Sequence, residues 1–180
     1  MARLDPESLP AHVDRLYRAA WALCGSAHEA EDLVQETFVR VLSRPRLLRG
    51  DDELAYQMGV LRNTFLSARR TASRRPRSVA SLEDLELADG RESARPQAAL
   101  EAAEIYEAIA ELPEDFRLAI VAVDIVGLSY AEAGRALGAG EATITSRLHR
   151  ARRRVVAAVD GAPATADPPR EGSDRLRSLD

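Results

Sequence analysis

The sequence predicts an all-α protein: two small helical domains joined by an acidic flexible linker, the C-terminal one containing a helix-turn-helix. Three observations predict it. Apolar residues recur every three to four positions in both halves of the chain, with no sustained alternation of the kind a half-buried strand needs. Capping signals and glycine stops punctuate those runs. Charge falls in blocks: Arg62 to Arg77 holds six arginines and no acid, Ser78 to Leu112 nine acids against two arginines, and Arg147 to Arg154 five arginines and no acid.

The elements follow in order. "AHVDRLYRAAWALC" places Val13, Leu16, Tyr17, Ala20 and Leu23 near one face and reads as an amphipathic helix. Ser26 followed by Glu29 is a capping-box signal that opens a second helix, "HEAEDLVQETFVRVL". After the loop Ser43 to Asp52, a third helix runs from Glu53 to about Ala72, with Leu54, Met58, Leu61, Phe65 and Ala68 in one stripe. "RRPRSVASLEDLELADGRESARPQ" is rich in Pro, Ser, Gly and charge without an apolar period, and reads as a linker. A fourth helix covers Gln97 to Glu111, and Pro113 suits the first turn of a fifth, which continues to Ile125 or Val126 and stops at Gly127. Ser129 and Glu132 form a second capping box, Gly138 supplies a left-handed stop, and a longer helix starts at about Ala142. The domains so divided are 8–76, a linker at 77–96, a second domain at 97–159, and a tail at 160–180 too poor in apolar residues to fold alone.

Composition excludes several classes of function. With 180 residues, 46% hydrophobic and 30% charged, the chain has the make-up of an ordinary globular protein. It contains no run of about 18 apolar residues, and the start "MARLDPESLPAH" lacks the apolar core of a signal peptide. The expectation is a cytoplasmic protein without membrane insertion. Cys24 has no partner for an internal disulfide and reads as a small buried apolar residue. Three scattered histidines show no metal-ligand spacing, so neither a metal nor another cofactor is expected. All 25 basic residues are arginine, which reflects genomic base composition more than chemistry.

The final helix carries the chemistry. A short capped helix, a turn at "GAGE" and a longer helix have the proportions of a helix-turn-helix, whose second helix enters the DNA major groove. With Ile144 at zero, Leu148, Ala151 and Val155 fall within about 40° of it, a packing stripe. Ser146, His149, Arg150 and Arg153 lie opposite, where guanidinium, imidazole and hydroxyl groups suit phosphates and base edges. An arginine run alone would read as a solvated helix face; the capped helix and glycine turn before it favour DNA.

These residues carry a resemblance. "GLSYAEAGRALGAGEATITSRLHRARRRV" resembles the promoter-reading helix-turn-helix of bacterial RNA polymerase sigma factors of the extracytoplasmic-function group, in the sigma-70 family, and "AELPEDFRLAIVAVDIVGLSY" resembles its lead-in. "AEDLVQETFVRVL" is similar to that family's polymerase-binding helix, and "VLRNTFLSARR" to the segment that reads and melts the minus-ten element. The resemblance covers about 11 to 76 and 98 to 159 in the family's order. It implies a non-enzymatic initiation factor whose partners are core RNA polymerase and promoter DNA, and it admits an anti-sigma factor as a third.

The resemblance also distributes roles. Asp32, Gln35, Glu36 and Val39 share one side of the second helix, opposite Ala30, Val34, Thr37 and Val41, and are expected to dock on the polymerase. Tyr56, Arg62, Asn63, Arg69 and Arg70 are expected at minus-ten DNA, where stacking and hydrogen bonds to unpaired bases favour an open strand. For Tyr56, packing against the first two helices is an equal reading. Thr143, Thr145, Ser146, Arg147, His149, Arg150 and Arg153 are expected at minus-35 DNA. Ser67, Ala142 and Thr145 depart from the residues usual in the family, and Gln57 and Gly59 replace apolar or branched ones, which is expected to loosen the third helix locally. The competing reading is a stand-alone helix-turn-helix regulator whose first module only dimerises; the acidic side of the second helix speaks against it. No nucleophile or ligand constellation supports a hydrolase or metal enzyme.

Overall fold

The computed structural model describes residues 2–3, 6–43, 47–48, 53–72 and 96–161, with side chains at 9–43, 53–71 and 100–161. The loop, most of the linker and the C-terminal tail named above lie outside the described residues. Seven α-helices carry the described chain: α1 (Val13–Cys24), α2 (Ala27–Ser43), α3 (Glu53–Ala72), α4 (Pro96–Ala110), α5 (Glu114–Ile120), α6 (Tyr130–Leu137) and α7 (Glu141–Val159). A 3-10 turn at Pro6–His12 leads into α1, and Ala2–Arg3 (β1) pairs antiparallel with Leu47–Leu48 (β2), Ala2 opposite Leu48. The class is all-α, as expected.

Local signals set most helix ends. Gly25 at φ 72° closes α1, its N–H donating to Trp21 O at 2.7 Å. Both halves of the Ser129/Glu132 capping box are present at α6, and Gly138 at φ 65° closes it. The helix expected from Pro113 to Ile125 or Val126 is instead two pieces: α5, then one wide π turn at Val121–Ile125 that buries Val121 and Ala122. The amide of Leu128 donates past it to Ala122 O at 3.1 Å, which turns the chain toward α6.

One core runs through the molecule. α1, α2 and α3 bury Leu16, Leu23, Met58 and Leu61 completely or almost so, and α5 to α7 do the same with Val121, Ile144 and Leu148. The two sets belong to a single cluster, because α3 packs along α6 and α1 packs against α4 and the π turn. Three expectations are corrected by this packing. Val13 is 36% exposed, since the second module shifts the buried side of α1 toward its C-terminal half, where Trp21 and Ala22 are buried too. Ala68 is exposed along with every residue from 67 to 71, because α3 outruns the helices it packs on. Gly59 does not mark a loose spot: a Cβ there would stand 3.3 Å from Ala136 O, so its missing side chain lets α3 lie against α6. Gln57 is fully buried, with neither amide atom hydrogen-bonded.

Candidate nucleic-acid and polymerase interfaces

The reading helix is seated by apolar residues and held by ion pairs. Ile144, Ala151 and Leu148 are at most 1% exposed and Val155 8%, which fixes the rotation of α7. That rotation brings Thr143, Thr145, Ser146, His149 and Arg153 to the surface, with Arg147 and Arg150 half-buried. The Thr145 hydroxyl donates to Glu141 O at 3.0 Å and keeps lone-pair capacity for a further partner. The angle between α6 and α7 rests on Gly134, where a Cβ would meet Ala139 O at 2.8 Å.

The arginines of α7 divide by what they touch. Arg147, expected at DNA, donates to Asp115 of α5 at 2.8 Å and is 27% exposed, so it ties the helix down on its own module. Arg152 does likewise with Asp124, and Arg154 lies over the Phe116 ring at 5.0 Å. Arg150 and Arg153 stand on the other side with His149 and Ser146. A cationic, hydrogen-bonding ridge beside a seated apolar stripe can follow a groove of duplex DNA.

On α2, Asp32, Gln35, Glu36 and Val39 are all exposed, while Ala30, Val34, Thr37 and Val41 are buried. Glu36 accepts from Arg40 Nε at 2.7 Å, one turn on. Val39 is 57% exposed and Leu42 50%, so the acidic strip carries an apolar end. Leu42 was missed by the sequence reading, although its spacing of three from Val39 placed it beside that surface. An acidic strip with a bare apolar end suits a protein partner better than DNA.

On α3 the expected minus-ten residues are not all alike. Asn63, Arg69 and Arg70 are exposed. Tyr56 is half-buried and packs on the small cluster of Leu9 and Val41. Arg62 donates to Asn63 Oδ1 at 3.1 Å, while its Nε is buried without a hydrogen-bond partner. Arg69 pairs with Glu114 at 3.1 Å and lies over the Phe65 ring. Among the described residues no helix is long and apolar enough to cross a membrane, and no group of three or more His, Cys, Asp or Glu is placed to hold a metal.

Comparison with known proteins gives the two modules separate matches. Residues 10–75 match the family described as Sigma-70 region 2, and residues 102–155 match Sigma-70, region 4. The chain is 35% identical to the ECF RNA polymerase sigma factor EcfG of Rhodopseudomonas palustris, over 87% of this chain and 86% of that protein. It is 36% identical to the ECF RNA polymerase sigma factor SigE of Mycolicibacterium smegmatis over 80% of its own length, and spans 57% of that longer protein. Among solved structures it is similar to the sigma factor RpoE of Bartonella quintana in complex with the anti-sigma factor NepR, at TM-score 0.67 and 25% identity over 86% of this chain and 95% of that one. CnrH, solved in complex with the cytosolic domain of CnrY, shares the fold at TM-score 0.60 and 23% identity, over 87% of this chain and 88% of that one. With a region 2 module, a region 4 module and relatives alike over most of its length, the chain belongs to the extracytoplasmic-function group of the sigma-70 family of RNA polymerase sigma factors.

Proposed function

We propose that this chain binds core RNA polymerase, directs it to particular promoters and assists opening of the duplex there, acting in the cytoplasm as an initiation factor and not as an enzyme. The observation that carries the reading is the pairing, in one chain, of an exposed acidic and apolar strip on α2 with an exposed arginine and histidine ridge on α7. A stand-alone DNA-binding regulator has no use for the first.

The division of labour follows the two modules, 8–76 and 97–159, joined by the acidic segment 77–96. Asp32, Gln35, Glu36 and Val39 dock on the polymerase. Asn63, Arg69 and Arg70, with Arg62 and Tyr56 behind them, meet the minus-ten element; stacking and hydrogen bonds to an extracted base offset the few kcal/mol that unstacking costs. Thr143, Thr145, Ser146, His149, Arg150 and Arg153 meet the minus-35 element, with Arg147 beside them. An anti-sigma factor is a further partner, by likeness to the sigma factor RpoE solved in complex with one. Transcription from a promoter library by purified core enzyme, with and without the chain, tests the reading. Chain-dependent transcripts sharing common upstream elements are expected, and no dependence on the chain would overturn it.

A further inference from the structure

The residues before α1 are attached twice to the part of the first module assigned to minus-ten DNA. Ala2–Arg3 (β1) pairs antiparallel with Leu47–Leu48 (β2), which lies in the connection between α2 and α3. Leu9, in the 3-10 turn Pro6–His12, is 7% exposed and clusters with Phe38 and Val41 of α2 and with Tyr56 and Val60 of α3. Among the described residues of that cluster, Leu9 alone comes from outside α2 and α3. Both attachments lie before residue 10, where the region 2 match begins.

The small cluster stands apart from the main core. Around α3, Val60 and Asn63 lie within about 40° of Tyr56 at 100° per residue. Met58, Leu61 and Phe65 lie on the far side and belong to the core that α1, α2 and the second module share. Tyr56 and Val60 are packed instead on the cluster of Leu9 and Val41. Leu9 therefore serves the side of α3 that carries the exposed Asn63 and is assigned to minus-ten DNA, not the side that holds the module together.

The attachment is stiff for its length. The first residues of a domain fray unless they are tied down, and a two-residue ladder would hold them only weakly by itself. Pro6 and Pro10 stand on either side of Leu9 and fix φ at both positions, which lowers the entropy lost when Leu9 is seated. A ring held in place beforehand stacks on an unpaired base more tightly, because ordering it on binding costs affinity. A half-buried Tyr56 packed on Leu9 satisfies both readings of that residue, packing and DNA.

We propose that residues 2–12 are a positioning arm for minus-ten reading: Leu9 sets the Tyr56 ring, β1 holds the connection that leads into α3, and together they sharpen discrimination among minus-ten sequences. The arm rests on the sigma-factor reading. Leu9 is a positioning residue and acts through Tyr56.

Full-length variants assembled with core polymerase test it, on a promoter selected from the library above and on copies changed one base at a time in the minus-ten or the minus-35 element. Leu9→Ala is expected to narrow discrimination among minus-ten sequences by about tenfold, the scale of one stacked base. Core affinity and minus-35 discrimination are expected at the parent level. In a Tyr56→Ala background, Leu9→Ala should change discrimination no further, since effects that act through one group do not add. Joining Met1 directly to Pro6 removes β1 but keeps Leu9 and the core. It is expected to narrow minus-ten discrimination in the same direction, so the test stands even where Leu9→Ala fails to fold. Parent-level minus-ten discrimination in either variant, an equal loss on every promoter, or full additivity with Tyr56→Ala overturns the arm. A parent chain that supports no promoter-dependent transcription would instead overturn the sigma-factor reading on which the arm rests.

Discussion

Arg152 grips Asp124 with two hydrogen bonds, Nε at 2.9 Å and Nη2 at 2.6 Å from the two carboxylate oxygens. The pair joins the middle of α7 to the π turn, and the bond to Asp124 raises the guanidinium pKa above its already high ordinary value. Arg152 therefore serves the fold, although it sits in the most basic stretch of the chain. Arg152→Ala is expected to lower stability by about 1 kcal/mol or less, because the pair is 51% and 32% exposed and screened by water. Promoter preference is expected to stay the same. Urea denaturation and competition binding check the two halves; a large loss specific to minus-35 sequences would move Arg152 into the DNA surface.

Arg150 is expected to behave in the opposite way. Arg150→Ala should weaken binding to the upstream element by about 1 to 3 kcal/mol and relax discrimination at one guanine. Competition with minus-35 sequences mutated one base at a time reads this directly. A uniform loss across all sequences would place the side chain on phosphate, and no loss would leave it a solvated residue.

The capping box gives α6 a pH signature. Hydrogen bonds from the Ser129 hydroxyl and then the Ser129 backbone hold Glu132 below the ordinary carboxylate pKa, with Arg135 adding a smaller pull against burial. A carboxyl depressed on folding stabilises the fold above its unfolded pKa, and that contribution fades as pH falls through the folded value. The stability gap between the parent chain and Glu132→Gln should be full at neutral pH and shrink below about pH 4.3. Ser129→Ala should cost about 1 kcal/mol at neutral pH. Denaturation midpoints across that range check both; a gap that widens in acid contradicts the assignment.

Much of the fold was legible because its signals are local. The Ser129/Glu132 box and Gly138 fix α6 from four residues at one end and one at the other, and the stripe from Ile144 to Val155 fixes the rotation of α7. What was not legible depends on residues far apart in sequence. Spacing placed Arg147 with the DNA residues but could not show that Asp115, 32 positions away, pairs with it. Gly59 looked like a defect in a helix because periodicity reports which side is buried and not what lies on it. The π turn has no sequence mark of its own, since Val121 to Ile125 would read the same in an unbroken helix. Val13 and Ala68 fit their apolar stripes by spacing, but their burial depended on whether a neighbouring helix reached them.

The acidic strip of α2 makes a charge-reversal test possible without harm to the core. Asp32→Arg with Glu36→Arg is expected to abolish binding to core polymerase while helical content is unchanged, since both side chains are exposed. The lost Glu36–Arg40 pair is one turn apart on the surface and worth about 0.5 kcal/mol at most. Pull-down with core enzyme and circular dichroism give the two readouts. Retained affinity would remove α2 from the polymerase interface.

Gly134 connects the fold to DNA reading without touching DNA. It lies inside α6, where replacing glycine by alanine ordinarily stabilises a helix by about 1 kcal/mol. Here the added methyl would meet Ala139 O at 2.8 Å, and the obstacle is backbone in the turn itself, which cannot swing away as a side chain would. The turn must move, and overpacking of that kind costs about 1 to 3 kcal/mol. That outweighs the helix preference at most sites. The turn carries Gly140, whose carbonyl accepts from Thr143 and Ile144 to start α7, so displacing it changes how the reading helix is presented. Gly134→Ala is therefore expected to lower stability and to weaken minus-35 binding together, while affinity for core polymerase through α2 stays at the parent level. Urea midpoints and two separate binding measurements read the three quantities. A variant more stable than its parent, with promoter binding intact, would show that the turn accommodates the methyl and that the interhelical angle does not depend on Gly134.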